Sequence, residues 1–145
     1  MLEQQIDLWD AKDGTICITT NGTITKDGRA VMGRGCALEA AKKYPAFPKL
    51  FADILKIAGN RVILFQIFID RDIITFPVKH NWYEKADIEL IKKSCLELVD
   101  LMQKNSLSKV YLPRPGCGNG HLDWDKDVKP VIKDLLPDNV IVVSK

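Results

Sequence analysis

Two glycine-rich segments have the residue types and spacing to hold an anion: Val31-Met32-Gly33-Arg34-Gly35-Cys36-Ala37 and Pro115-Gly116-Cys117-Gly118-Asn119-Gly120-His121. Glycine lets a backbone approach a ligand closely and adopt positive φ. Where a helix follows, its first N–H groups lack partners and its positive dipole end attracts negative charge. Helix formers follow the first segment, and Leu122 to Asp127 is expected to open a helix after the second. Phosphate is the natural guest of each. Two such segments in one chain suit a diphosphate better than a single phosphate. Either one alone is more often only a tight connection. Neither has the GxxxxGK[ST] spacing of a P-loop. Neither has GxGxxG followed about 20 residues later by an acidic ribose partner, which argues against a dinucleotide-binding Rossmann site.

Other residues add polar chemistry. Asn21 ends an apolar run and can bond a sugar hydroxyl, although before Gly22 it also reads as a turn former. Asp7 can accept from an adenine amino group, or simply be solvated at a strand end. Lys79 follows Phe76-Pro77-Val78, just past a strand. A lysine whose pKa is depressed by burial or cationic neighbours becomes a nucleophile able to attack an acetal carbon and form a Schiff base with the opened sugar. Most loop lysines are plain solvated charges. His80 and His121 are candidate acids or bases, with His121 better placed inside the second segment. Cys117, flanked by glycines and without an activating base, reads as a small residue in a tight turn.

Secondary structure must carry these residues to one place. Ile6–Trp9 is expected to open a strand, and Thr15–Thr20 is a β-branched buried strand running into the Asn21-Gly22 turn. Gly35–Tyr44 reads as a helix stopped by Pro45, with Phe47–Ile57 continuing after it. Arg61–Ile69 and Ile73–Val78 read as a hairpin turning at Asp70-Arg71-Asp72. Ala86–Asn105 has one apolar helical face, from Ile88, Ile91, Cys95, Leu98, Val99 and Met102. Val110–Pro113 is a short strand, Asp125–Leu136 a helix flawed by Pro130, and Val140–Val143 a last buried strand. Alternating strands and helices predict a layered α/β fold, and the hairpin makes its central sheet mixed. Ligands of such sheets bind beyond the carboxyl ends of the strands, where both glycine segments are expected to lie.

The bulk numbers fit one domain. The chain has 145 residues, 46% hydrophobic and 28% charged, enough for a core without staples. With 21 basic and 19 acidic residues it lacks the strong basic bias of a dedicated duplex-DNA binder, yet a local nucleic-acid site is compatible with it. Four cysteines without a CxxC pair, and only two histidines, give no expectation of a metal site; Cys17 and Cys95 read as core residues. No signal peptide or bilayer-spanning run is evident. The expectation is a reduced, cytoplasmic, monomeric protein with no membrane association and no cofactor.

Taken together, Ile6-Asp7-Leu8-Trp9, ITTNG at 18–22, GRAVMGRGCALEAAKKYP at 28–45, FPVKHNW around Lys79 and LPRPGCGNGHLDW at 112–124 resemble the macrodomain, an ADP-ribose-binding module. The resemblance runs over nearly the whole chain and implies a single macrodomain over 1–145, a three-layer α/β/α sandwich with a mixed sheet. Within the family the sequence is most similar to the branch containing the terminal ADP-ribose protein glycohydrolase and the antitoxins that remove ADP-ribose from thymidine in DNA. It is also similar to small phage and bacterial proteins described as ADP-ribose-1″-phosphate processing enzymes.

The resemblance implies roles residue by residue. Asp7 would hold the adenine amino group beside the Leu8 backbone, and Asn21 would contact the distal ribose. Gly33, Arg34, Gly35 and Cys36 would wrap the distal ribose and diphosphate. Gly116, Cys117, Gly118, Asn119, Gly120 and His121 would close over the diphosphate from the other side. Lys79 matches the lysine that attacks the anomeric carbon in lysine-dependent hydrolases. One departure stands out. The protein glycohydrolase has a catalytic aspartate where this chain has Gly120, whereas the DNA-directed antitoxins also have glycine there and keep the Leu122-Asp123-Trp124 that follows. His121 has no counterpart in that pattern. The expected function is an ADP-ribosyl hydrolase acting on a conjugate such as ADP-ribosylated DNA. A non-catalytic ADP-ribose-binding module and an ADP-ribose-1″-phosphate phosphatase using His121 or Asp123 are the alternatives.

Overall fold

The β-branched and apolar runs pair into one six-stranded sheet. In the computed structural model, which describes residues 1–145, the strands are β1 (Leu2–Gln5), β2 (Thr15–Asn21), β3 (Ile63–Phe65), β4 (Ile73–Lys79), β5 (Val110–Pro113) and β6 (Val140–Ser144). Their order is β1-β6-β5-β2-β4-β3. Every pairing is parallel except β3 on β4, so the sheet is mixed at one edge. Helices α1 (Gly35–Lys43), α2 (Phe47–Ala58), α3 (Ile88–Lys104) and α4 (Lys129–Ile132) cover its two faces.

Alternation along the strands sorts the core into two halves, because successive side chains point to opposite faces. Ile16, Ile18, Ile73 and Tyr111 pack with Ala40 of α1 and with Phe47, Phe51 and Leu55 of α2. Cys17, Ile74, Phe76, Val110 and Leu112 pack with Ile91, Cys95 and Leu98 of α3 and Ile132 of α4. The three-layer α/β/α arrangement follows, since a parallel sheet must bury both faces.

Three local expectations are corrected. Ile6–Trp9 is not a strand: the Asp7 carboxylate accepts from Trp9 N at 2.9 Å and bends Leu8–Asp10 into a single 3₁₀ turn, burying Leu8 and Trp9. The edge strand β1 lies before it, paired with β6. Arg61–Ile69 shortens to β3, because Phe68 leaves the ladder to stack on Tyr44 with ring centroids 4.2 Å apart, and Ile67 and Ile69 turn outward. Residues 66–72 are therefore a longer connection than a tight turn. The helix expected over Asp125–Leu136 divides into a π-helical turn (Trp124–Val128) and α4. Pro130 sits in the first turn of α4, where its missing N–H would have had no acceptor, so it starts a helix there. Between β2 and the first glycine segment, residues 22–30 are pinched by an Ile24–Ala30 bridge.

One buried polar contact ties a helix to the strand that carries Lys79. The Ser94 hydroxyl of α3 donates to Pro77 O at 2.7 Å with both groups away from water. Replacing it leaves a buried carbonyl unsatisfied. Ser94→Ala is expected to lower the unfolding free energy by about 1–3 kcal/mol in urea denaturation; an unchanged midpoint would show that this bond contributes nothing.

Candidate functional site

A cleft of about 640 Å³ opens over the carboxyl ends of β2, β4, β5 and β6. That size suits a ligand of dinucleotide scale. Asp7, Leu8, Asn21, Gly33, Arg34, Gly35, Cys36, Lys79, Gly116, Cys117, Gly118, Asn119 and Gly120 all line it. His121 does not: it takes a left-handed conformation at φ 63° as the chain leaves the cleft and is exposed. His80 is likewise outside, its Nε2 2.8 Å from the Asp87 carboxylate. That contact is the main reason the Asp87 carboxyl lies below its ordinary range.

The first loop is built for an anion. Arg34 precedes α1, and no side chain caps the helix. Leu38 N is the first amide bonded back, to Arg34 O at 3.2 Å, so Gly35, Cys36 and Ala37 keep N–H groups without a partner in the protein. All three residues line the cleft. A cation at a helix N-terminus opposes the dipole, and an anion lying between Arg34 and these amides would satisfy both. Cys36 turns its thiol inward, 3.4 Å from Thr19 N, and burial pushes its pKa up.

The second loop meets the first. A Cβ on Gly35, whose φ is +57°, would lie 3.5 Å from the Asn119 amide nitrogen. Gly116 and Gly118 also have positive φ, and Gly118–Gly120 forms a 3₁₀ turn. The helical segment after this loop opens later than expected, at Trp124. The Asp123 carboxylate accepts from Lys126 N and the Asp127 carboxylate from Asp123 N, each at 2.8 Å. The Cys117 thiol is pushed up to about 11 by burial, which fits a packing residue and not a nucleophile.

Glycine at position 120 has a steric reason. A Cβ there would stand 2.8 Å from Ala86 Cβ, while Gly120 O accepts from Ala86 N at 3.0 Å. This backbone has no room for a carboxylate at that position.

Lys79 is placed by an irregularity. β2 and β4 stay in register from Ile16–Ile73 to Thr20–Pro77, then one residue is skipped so that Asn21 lies opposite Lys79. Lys79 Nζ donates to Asn119 O at 3.0 Å and Trp82 O at 3.3 Å. A neutral amine has two N–H groups and one lone pair; two carbonyl acceptors can hold the N–H groups and leave the lone pair free. Burial, and then the nearby Arg34 cation, hold the Lys79 pKa below its ordinary value.

Asn21 and Asp7 are both engaged locally. Asn21 donates to Val31 O at 3.1 Å and accepts from Thr23 N at 2.9 Å, so its turn-forming role is met and it also anchors the chain entering the first loop. Asp7 caps its turn and pairs with Lys145 at 3.3 Å; the Trp9 N–H is the largest cause of its lowered pKa. Trp82, Glu39, Arg114 and Lys145 also line the cleft and were not singled out in the sequence. Trp82, three residues past Lys79, and Lys145, just past β6, could have been found from the rule that sites lie beyond strand carboxyl ends. Arg114, next after β5, falls under the same rule, and only Glu39, on α1, carried no such signal.

A family model described as Macro domain matches residues 20–131. The DNA ADP-ribosyl glycohydrolase of Mycobacterium tuberculosis is 27% identical over 103 residues, which are 66% of this chain and 29% of that protein. A DNA ADP-ribosyl transferase-DNA ADP-ribosyl glycohydrolase fusion protein of Thermosipho africanus is 23% identical over 123 residues, 70% of this chain and 32% of that protein. The matches thus span less than half the length of either curated relative. Among solved structures, the macrodomain of Mycobacterium tuberculosis DarG superposes with a TM-score of 0.81 at 23% identity, covering 99% of this chain and 97% of that one. Thermosipho africanus DarTG in complex with ADP-ribose gives 0.75 at 21% identity, covering 94% and 39%. At these identities the structural likeness establishes a common fold.

The two loops make a sharp stability contrast. A Cβ on Gly116 would lie 2.7 Å from Ile91 Cδ1 and 2.9 Å from Leu122 Cδ1, at φ +78°, whereas one on Gly33 meets nothing within 4 Å. Gly116→Ala is expected to cost about 2 kcal/mol or more, from overpacking and a left-handed backbone. Gly33→Ala should stay within about 0.5 kcal/mol of wild type. Thermal melts of the two variants check this; equal midpoints would contradict the packing.

Proposed function

The chain belongs to the Macro domain family, and we propose that it binds ADP-ribose in the cleft and releases it from a conjugate, ADP-ribosylated thymidine in DNA being the favoured substrate. The observation that carries the catalytic part is the Lys79 amine, held by two carbonyls within the cleft. In this reading the diphosphate lies between Arg34, the free amides of α1 and the 116–120 loop, with adenine toward Asp7 and the distal ribose toward Asn21 and Lys79.

The step follows from that placement. The Lys79 lone pair bonds to the anomeric carbon while the bond to the nucleobase breaks. The departing base takes up the proton that the lysine nitrogen releases. The bond from the anomeric carbon to the ring oxygen then breaks, the remaining N–H proton passes to that oxygen, and the opened sugar is held as a Schiff base. Water adds across the C=N bond, returning the amine and freeing ADP-ribose. Holding amine and sugar together supplies the effective-molarity advantage of an intramolecular reaction. The relatives named as DNA ADP-ribosyl glycohydrolases support this reaction class.

A binding-only module has one observation in its favour: no carboxylate fits at position 120 to assist as an acid or base. The phosphatase reading loses support, since His121 lies outside the cleft and Asp123 is spent on the helix cap.

Lys79→Ala is expected to abolish release of ADP-ribose from modified single-stranded DNA while calorimetry still detects ADP-ribose binding. Unchanged turnover would remove lysine from the mechanism, and binding without turnover by the wild type would select the module.

The pH dependence has a defined sign. Only the neutral amine attacks, so kcat/KM should rise with pH through the Lys79 pKa, with a midpoint below that of an ordinary lysine. Arg34→Met removes a cation that favours the neutral form and should move that midpoint upward. A midpoint that stays put or falls in the variant would contradict the coupling.

A further inference from the structure

We propose that Trp82 and Tyr83, at the mouth of the cleft, form a stacking platform for the bases of a single-stranded nucleic acid that flank the modified nucleotide. This rests on the cleft taking an ADP-ribosylated nucleic acid, and it adds the surface that would hold the strand on either side of the modified nucleotide.

The two rings are 50% and 69% exposed, although the chain buries its other tryptophans, Trp9 and Trp124, to 8% and 6%. They meet edge to face with centroids 5.8 Å apart. Only Trp82 lines the cleft, so the pair leads from the cleft to the outer surface.

The backbone beneath these rings is fixed on every side. Trp82 N donates to Thr23 Oγ1 at 3.0 Å, and Trp82 O accepts from Lys79 Nζ. Glu84 N donates to Asn81 O, Ala86 N to Gly120 O and Asp87 N to Val78 O, at 2.9–3.1 Å. A rigid backbone presenting exposed aromatic faces is prepared for a partner, because little order remains to be imposed at binding.

Several cations lie on the segments that adjoin the platform. Arg34 and Lys79 line the cleft, Lys26 and Arg29 lie on the 22–34 loop joined to Trp82 through Thr23, and Lys85 follows the aromatic pair. Lys56 Nζ lies over the same loop, 3.6 Å from where a Cβ on Gly28 would stand. None of these cations forms an ion pair, although nine ion pairs of lysine, arginine or the amino terminus form on the chain. The acids of the same surroundings are Glu84, Asp27, which accepts the Thr25 hydroxyl, Asp87, which faces His80, Asp53, which lies near Lys56 and pairs with Lys49, and Asp7 and Glu39, which line the cleft with Arg34 and Lys79. Exposed π-faces beside unpaired cations are what a single strand requires: rings for unstacked bases and positive charge for phosphates. A duplex keeps its base faces stacked on each other and offers the rings nothing.

The test measures strand binding and turnover separately, on wild type, Tyr83→Ala and Tyr83→Phe. Tyr83 does not line the cleft. Anisotropy of a labelled, unmodified single-stranded oligothymidylate is expected to show binding that weakens with salt. Tyr83→Ala should weaken it at least ~5-fold, the low end for loss of one stacking ring, and Tyr83→Phe should restore it. Turnover of ADP-ribosylated oligonucleotide should fall in Tyr83→Ala while that of ADP-ribosyl-thymidine nucleoside stays at the wild-type value. The proposal is overturned if the wild type does not bind the strand at low salt, or if Tyr83→Ala binds it unchanged. It is also overturned if duplex binds as tightly as single strand, or if Tyr83→Ala slows release from an ADP-ribosylated peptide but not from the oligonucleotide. If the wild type turns over no substrate, the hydrolase reading fails and the anisotropy series still decides this one.

Discussion

The parallel ladder between β2 and β4 carries six registered residue pairs and skips one residue before the last, and the whole cleft is arranged around that ending. Up to Thr20–Pro77 the pairing is regular, and the side chains of both strands are consumed by the two halves of the core. The skip then sets Asn21 opposite Lys79. Asn21 fixes the chain entering the first loop through Val31 O, while Lys79 reaches Asn119 O in the second. One irregular step at the end of a well-packed ladder thus connects both loops to the centre of the sheet. Ser94, bonded to Pro77 O just before the skip, fastens the same strand to α3.

Electrostatically, the cleft concentrates positive character without many charges. Three partnerless amides at the start of α1 and the Arg34 guanidinium lie together, with no acidic residue in the first turn of that helix. The same guanidinium is the second cause of the lowered Lys79 pKa, after burial. An anion seated against Arg34 would offset part of its effect on the amine. Burial, the larger cause, would remain. In the proposed reaction, ligand capture and amine activation would therefore share a side chain, and the second would not depend on it alone.

Long, strongly patterned segments were legible in the sequence. Thr15–Thr20, the apolar face from Ile88 to Met102, and the Gly35–Tyr44 helix before Pro45 occur nearly where their periodicity places them. Segments decided by a local side chain or a tertiary contact were not. Asp7 converts an apolar tetrapeptide into a capped turn, and the stacking of Phe68 on Tyr44 pulls an otherwise β-like run out of the ladder. Pro130 looked like a defect in one helix because the preceding π-helical turn has no sequence period of its own. At the cleft, the glycine loops stand out by residue type, whereas Lys79 is singled out by the family resemblance. The reason for glycine at position 120 lies in Ala86, which is distant in sequence, and only the fold brings the two together. His121 belongs to the glycine-rich string as written, yet its left-handed backbone carries it out of the cleft.

Gly116, Gly118 and His121 all hold positive φ, and a single Cβ on Gly116 would collide with Ile91 and Leu122. Such bends cannot be exchanged freely for others, so the path of the loop is tied to the residues that permit it. A change at Gly116 would reach the cleft through the packing beneath the loop, without touching any group that faces a ligand.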